Sequence, residues 1–226
     1  MSGGIQVFPF YIICDVSKSM DGDRINSVNS GLPFIHREII SDPVVSEKAR
    51  LGIISFSTEA RVELSLSKLE DVRDMPVLVA GGQTNFAKAF ELAASVIEKD
   101  VEHLKAGGYS VLRPCVYFIT DGRPGDGWKK ARDQWVDRAI NRYAPNIICF
   151  GVADADEETL KRLTTRFTFM ADRGTSTANA LHEVMRSITA SVVSTTRGSE
   201  AQLAIPAAGE SFRVLDKDLE EKKDNK

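Results

Sequence analysis

The sequence lacks the long apolar run that a membrane-spanning helix requires, because none of its hydrophobic stretches approaches about 20 residues. Residues 1–6 carry no basic group ahead of a long apolar segment, so we expect no secretory signal peptide. We therefore expect no association with a membrane.

An excess of positive charge is also lacking. The 226 residues include 29 Lys and Arg against 32 Asp and Glu, a formal net charge of −3, and no Lys/Arg-rich run precedes the mixed-charge end. Because nucleic-acid binding depends on a cationic surface, we expect no nucleic-acid partner. Neither glycine-rich phosphate motif, G-x-x-x-x-G-K-S/T or G-x-G-x-x-G, is present, which argues against a nucleotide site.

Cysteine is scarce, with three residues in the chain. Cys14, Cys115 and Cys149 lie in or beside apolar, strand-like runs without C-x-x-C spacing, which predicts buried free thiols rather than a zinc site. Free thiols are typical of a reducing compartment, so we expect a cytoplasmic protein. The three histidines have no recognisable motif context, and we expect them to be structural.

Strands alternate with helices along the chain, which predicts an α/β fold with a mostly parallel sheet. We expect one domain at residues 5–195 and a C-terminal extension at 196–226, part of it docked and its end, 216–226, disordered. The predicted strands are residues 7–14, 50–56, 60–66 (antiparallel to the strand before it), 115–120, 146–152 and 166–171, and the predicted helices are 25–39, with a kink at Pro33, 86–97, 128–143, 156–164 and 181–192.

Oxygen-bearing side chains follow two of these strands. Asp15, Ser17 and Ser19 come after the first strand, and alternate side chains of an extended segment point the same way. Such hard oxygen ligands suit Mg²⁺, Mn²⁺ or Ca²⁺ better than zinc or copper. Thr84 lies in a glycine-bearing loop, and Asp121 directly follows another strand. Because ligand sites in these sheets lie at the carboxyl ends of strands, we expect the five residues to meet there.

The order and spacing of D-x-S-x-S at 15–19, the Thr at 84 and T-D-G at 120–122 resemble the metal-ion-dependent adhesion site (MIDAS) of von Willebrand factor A domains. The resemblance covers roughly residues 7–193. It implies a Rossmann-like three-layer sandwich, in which helices cover both faces of a mostly parallel sheet with one antiparallel edge strand. It also implies that the hydroxyls of Ser17 and Ser19 coordinate a metal and that Thr84 binds it directly or through water. Asp15 and Asp121 then bind the metal or hydrogen-bond its ligands.

This resemblance implies a metal-dependent protein-interaction module rather than an enzyme. Neutral hydroxyls leave the charge of the cation partly uncompensated, so a carboxylate from a partner protein can complete its coordination. We expect Mg²⁺, with Mn²⁺ or Ca²⁺ as alternatives. Taken singly, the residues also fit simpler roles, since Ser17 and Ser19 could cap a helix and Asp121 could form a turn.

Further segments resemble the bacterial TerY group of tellurite-resistance-associated proteins within this family. Members of the group are cytoplasmic domains that accompany a protein kinase and a PP2C-type phosphatase in stress-response systems. The resemblance therefore implies a kinase or PP2C-type phosphatase as partner. The segments are V-N-S-G-L at 28–32, G-G-Q-T at 81–84, T-D-G-R-P at 120–124 with Trp128 nearby, and G-V-A-D at 151–154.

Two other functions remain open from the residues. A metal-dependent hydrolase of the haloacid dehalogenase type would use Asp15 as nucleophile, but it needs a second carboxylate two residues on, where this chain has Ser17. A metal-independent scaffold of the same fold would bind partners through its loops. Alanine at Asp121 would then spare partner binding, whereas it would abolish metal-dependent binding.

Overall fold

A computed structural model describes residues 4–198, 202–205 and 209–215. One mixed sheet forms its centre, and six α-helices accompany the sheet in this part of the chain. The elements are β1 (Gln6–Asp15), α1 (Asp23–Ile40), α2 (Pro43–Lys48), β2 (Ala49–Phe56), β3 (Ala60–Ser67), α3 (Phe86–Ala106), β4 (Ser110–Val111), β5 (Cys115–Thr120), α4 (Trp128–Val136), β6 (Asn146–Gly151), α5 (Glu157–Leu163), β7 (Thr168–Ala171), α6 (Thr177–Arg197) and β8 (Phe212–Val214), with short 3-10 helices at Lys18–Met20 and Leu69–Asp71.

The strand order is β3-β2-β1-β5-β6-β7-β8, and β4 pairs with the start of β1. The strands β2, β1, β5, β6 and β7 are parallel, and β3 lies antiparallel at one edge. These features confirm the predicted fold class. At the opposite edge β8 adds a second antiparallel pairing, so the segment after α6 contributes a strand to the sheet.

The central strands β1, β5 and β6 are buried on both faces of the sheet, which explains why their sequences are nearly continuously apolar. Alternate residues of β1 enter different cores. Phe10 and Ile12 pack in the cluster that contains α1 and α6, whereas Tyr11 and Ile13 pack in the cluster that contains α3 and α4. The result is the predicted three-layer arrangement, with the sheet between two helical layers.

Side-chain caps fix where several helices begin. Asn85, Asp156 and Ser176 accept hydrogen bonds from backbone N–H groups in the first turns of α3, α5 and α6, at 3.4, 2.9 and 3.2 Å. Asp42 does the same for α2, a helix that the sequence analysis missed. Its Pro43 follows the end of α1, but proline is also well suited to the first position of a new helix. Helix α1 itself continues through Pro33.

The predicted helix at 128–143 is wrong in its second half, because α4 ends at Val136. Side chains beyond this point bond to nearby backbone and compete with helical hydrogen bonds. Asp137 accepts from the N–H of Ala139 at 2.8 Å, and Asn141 donates to the carbonyl of Trp135 at 2.7 Å. Residues 137–144 therefore form turns.

The three cysteines are buried and take part in no disulfide, as predicted. Burial raises the pKa of the Cys115 thiol to about 12, which keeps the thiol protonated near neutral pH. No helix in the described ranges is both long and apolar enough to cross a membrane. The expected disorder at 216–226 lies outside the described residues, and the division into 5–195 and 196–226 stays a prediction.

Candidate metal centre

The candidate site lies at the topological switch point of the sheet, between β1 and β5. From β1 the chain passes through α1 and α2 to β2 on one side, whereas β5 lies on the other side of β1. Such a switch point leaves a crevice at the carboxyl ends of the two strands. Asp15 is the last residue of β1, and Asp121 directly follows Thr120 at the end of β5.

Asp15 is fully buried, and both of its carboxylate oxygens accept hydrogen bonds. Oδ1 accepts from the backbone N–H of Ser17 at 2.8 Å, and Oδ2 accepts from the hydroxyl of Thr120 at 2.6 Å. Burial raises the pKa of the Asp15 carboxyl above its ordinary value, and these hydrogen bonds offset only part of the rise. The two hydrogen bonds hold the Asp15 carboxyl group in one orientation before any ligand arrives.

The two serines converge, but not by the predicted extended geometry. Ser17 precedes the 3-10 helix Lys18–Met20, and Ser19 lies inside it. The helical turn brings the two Oγ atoms to 3.1 Å. Ser17 makes no capping hydrogen bond with its side chain, so the simpler role of helix cap does not describe its hydroxyl.

The glycine-bearing loop places Thr84 against the same site. The backbone N–H of Gly81 donates to the carbonyl of Val16 at 2.7 Å, and the N–H of Lys18 donates to the carbonyl of Gly82 at 3.0 Å, so the loop is tied to the end of β1. A Cβ atom on Gly122 would lie 2.9 Å from Oγ1 of Thr84 and 3.4 Å from Oδ2 of Asp15. Thr84 and Asp15 therefore face the same glycine, which has no side chain to separate them.

Asp121 completes the group, and its side chain has no exposed surface. Oδ1 accepts a hydrogen bond from the hydroxyl of Ser19 at 2.8 Å, and Oδ2 accepts from a guanidinium N–H of Arg24 at 2.5 Å. The structure therefore brings together all five residues that the sequence analysis singled out, namely Asp15, Ser17, Ser19, Thr84 and Asp121.

Arg24 is a site residue that no sequence motif predicted. Its guanidinium donates to Asp121 and also to the backbone carbonyl of Ser19, at 3.0 Å. The only local signal was a basic residue in the first turn of α1, where the helix dipole disfavours positive charge. Trp128, which lies near the T-D-G-R-P segment in the sequence, is not part of the site but a core residue that packs against Phe86 and Phe90.

The donor atoms fit a hard divalent cation. Two carboxylates and three hydroxyls supply oxygen alone, which is the chemistry that Mg²⁺, Mn²⁺ and Ca²⁺ prefer. Within the described ranges there is no group of three or more His, Cys, Asp or Glu side chains that could hold a metal ion. Any cation at this site would therefore depend on the hydroxyls as well as on the carboxylates.

Several solved structures share this fold. Proximal thread matrix protein 1 from the mussel byssus, in a form described as having a zinc-occupied MIDAS motif, is 16% identical over 84% of this chain and 48% of that one, with a TM-score of 0.59. A von Willebrand factor type A protein from Catenulispora acidiphila is 16% identical over 83% and 43%, with a TM-score of 0.59. The pilus adhesin SpaC from Lactobacillus rhamnosus GG is 11% identical over 87% and 31%, with a TM-score of 0.62. This chain thus spans less than half the length of each of these proteins, and the likeness shows the fold alone.

A comparison with curated protein sequences found no match. The family model of the von Willebrand factor type A domain matches residues 10–187, which include the ends of β1 and β5 and the first half of α6. The match therefore spans the strands β2 to β7 and all five candidate metal-binding residues. The chain belongs to the von Willebrand factor type A domain family.

Proposed function

We propose that this domain is a divalent-cation-dependent protein-interaction module that binds a carboxylate of a partner protein. The observation that carries the proposal is the connected chain of oxygens from Ser17 through Ser19 to Asp121. A bound cation would supply a positive centre for an anionic ligand at this position. Mg²⁺ is the proposed ion, because Mg²⁺ in proteins is commonly bound through one or two carboxylates and keeps several water ligands.

The residues divide into two kinds in this proposal. Ser17, Ser19 and Thr84 would offer hydroxyl oxygens to the cation, Thr84 directly or through water. Asp121 and Asp15 would bind the cation or hydrogen-bond its other ligands. Thr120 supports the site from behind, because its hydroxyl already holds one oxygen of Asp15.

The family membership and the mussel protein support this function. That protein is described with a zinc-occupied MIDAS motif, which is a statement about its own site. In this chain, two carboxylates and three hydroxyls form an oxygen-based group that suits a divalent cation. We propose a binding role rather than catalysis, since the position two residues after Asp15 holds a serine instead of the second carboxylate that a haloacid dehalogenase uses.

The proposal also includes a cellular setting. The resemblance of residues 28–32, 81–84 and 120–124 to the TerY group supports a cytoplasmic stress-response system of the tellurite-resistance type, with a kinase or PP2C-type phosphatase as the protein that supplies the carboxylate. A binding assay between this chain and the kinase or the PP2C-type phosphatase of the same system, in Mg²⁺ and in chelator, tests the setting separately from the metal site. Binding to neither enzyme would contradict the setting.

A library of acidic peptides tests the function whatever the natural partner is. Peptides with Asp or Glu at varied positions are screened against the protein in Mg²⁺ and in chelator, beside matched peptides with Asn or Gln. We expect binding that requires both Mg²⁺ and the carboxylate and that the Ser19→Ala variant loses. The proposal would be contradicted if the peptides bound equally well in chelator and if the matched Asn or Gln peptides bound as well as the acidic ones.

One observation favours the metal-independent scaffold as a second candidate. Arg24 already neutralises Asp121, so the buried carboxylate has a counter-charge without any cation. The two candidates differ in the Asp121→Ala variant. Loss of partner binding supports the metal-dependent module, whereas retained binding supports the scaffold.

A further inference from the structure

We propose that Arg24 is a built-in competitor of the cation and sets the affinity of this site for divalent metal. This inference rests on the proposed function, because it concerns the same site. It assigns a role to a residue outside the five motif positions. The contacts of Arg24, the charge of the cluster and the place of Arg24 in α1 each support it.

The contacts of Arg24 satisfy Asp121 without a metal. The side chain of Asp121 is 0% exposed, and that of Arg24 is 30% exposed. Arg24 donates to Oδ2 of Asp121 at 2.5 Å, while Ser19 donates to Oδ1 at 2.8 Å. Both oxygens of this buried carboxylate therefore have partners, one of which is a charge-assisted donor. A cation that draws on Asp121 must compete with that donor.

The charge of the cluster gives the direction of the effect. When ionised, Asp15 and Asp121 carry one negative charge each and Arg24 carries one positive charge, so the metal-free cluster is at −1. A divalent cation brings this cluster to +1, whereas without Arg24 it would go from −2 to neutral. Because charges at this separation interact strongly in a buried site, Arg24 must weaken cation binding. It also leaves the loaded cluster positive toward an anionic partner.

The helix does not explain why an arginine occupies this position. Arg24 is the second residue of α1, where the helix dipole favours acidic side chains. Its favourable partners are instead the Asp121 carboxylate and the Ser19 carbonyl, both in the candidate site. The position of the arginine therefore serves the site rather than the helix.

Calorimetric titration of wild type and Arg24→Gln with Mn²⁺ and Mg²⁺ tests the inference. Glutamine keeps a hydrogen-bond donor but removes the charge. Arg37→Gln is the matched control, because it removes the same charge from the same helix about 20 Å away. We expect Arg24→Gln to bind the cations about tenfold more tightly, because the substitution removes the repulsion between the guanidinium and the cation, and Arg37→Gln to match the wild type. Unchanged or weaker binding by folded Arg24→Gln would overturn the inference.

A second measurement in chelator tests the metal-free contact. Urea unfolding of Arg24→Gln, Asp121→Asn and the double variant forms a cycle. We expect Arg24→Gln to lower the midpoint strongly in the wild-type background and only slightly beside Asp121→Asn. Additive effects would overturn the claim that Arg24 neutralises Asp121.

The titrations separate this inference from the proposed function. Cation binding by the wild type with unchanged affinity in Arg24→Gln overturns the inference alone. Binding by Arg24→Gln but not by the wild type supports the inference and contradicts the proposed function of the natural chain. Binding by neither protein overturns both.

Discussion

Thr120 donates a hydrogen bond of 2.6 Å to Oδ2 of Asp15 and thereby joins the carboxyl ends of β5 and β1. Both side chains are fully buried. The same hydroxyl accepts from the backbone N–H of Gly122 at 3.1 Å, so it also orders the turn that carries Asp121. One threonine thus orients a carboxylate on one strand and the loop that follows another.

Replacing Thr120 with valine should destabilise the protein. Valine keeps the shape of the side chain but leaves Oδ2 of Asp15 and the N–H of Gly122 without this partner. Loss of a hydrogen bond to a buried charged group costs about 1.5–3 kcal/mol. Urea unfolding in chelator measures the change in the free energy of unfolding, with Thr120→Ser as the control that retains the hydroxyl. A Thr120→Val variant as stable as the wild type would show that the hydrogen bond contributes little.

Replacing Gly122 with alanine should disturb the candidate metal centre. The new Cβ would lie 2.9 Å from Oγ1 of Thr84, so Thr84 or the loop must shift. Such overpacking costs about 1–3 kcal/mol, and we expect weaker binding of Mn²⁺ as well.

Gly125→Ala is the matched control for that substitution, because a Cβ at Gly125 meets no atom within 4 Å. Both variants are compared with the wild type by urea unfolding and by Mn²⁺ titration. Equal behaviour of Gly122→Ala and Gly125→Ala would refute the close approach of Thr84 to the turn.

The pair of buried Tyr11 and half-buried Asp100 should make the stability of the protein depend on pH through a group away from the candidate site. The Tyr11 hydroxyl donates to Asp100 at 2.8 Å, and burial raises the pKa of the Asp100 carboxyl above its ordinary value in spite of that bond. A raised folded-state pKa means that the folded protein binds the proton more tightly than the unfolded chain. Its contribution to stability is therefore complete below the unfolded pKa and is lost as pH rises through the folded pKa.

The Asp100→Asn variant isolates this contribution. Asparagine can still accept from Tyr11 but does not titrate. We expect the free energy of unfolding of the wild type to fall relative to that of Asp100→Asn as pH rises from about 3 to about 7, around the ordinary aspartate pKa. Urea unfolding at several pH values measures the difference between the two proteins. A constant difference, or a rise in relative wild-type stability, contradicts the raised pKa.

The sequence predicted the sheet and the location of the site for physical reasons. A parallel strand buried on both faces needs apolar residues at successive positions, which makes β1, β5 and β6 visible as continuous runs. The polar residues that end such runs, Asp15 and Asp121, then mark the carboxyl edge of the sheet. The motifs of the family added Thr84, whose loop carries no comparable local signal.

Other features depend on contacts that local patterns do not contain. Arg24 and Asp121 are 97 positions apart, and the place of this arginine in the first turn of α1 does not indicate which carboxylate it reaches. The end of α4 depends on side-chain hydrogen bonds of Asp137 and Asn141 that compete with the helix. The convergence of the two serines arises from a 3-10 turn instead of the extended segment that the alternation indicated.

Isothermal titration calorimetry with Mg²⁺, Mn²⁺ and Ca²⁺ tests the central claim most directly. The wild type is compared with an Asp15→Ala/Asp121→Ala variant, and circular dichroism confirms that both are folded. We predict saturable binding of at least one of these cations by the wild type and none by the variant. Equal binding by the two proteins would place the cation elsewhere, and no binding by the wild type would contradict a metal centre at the ends of β1 and β5.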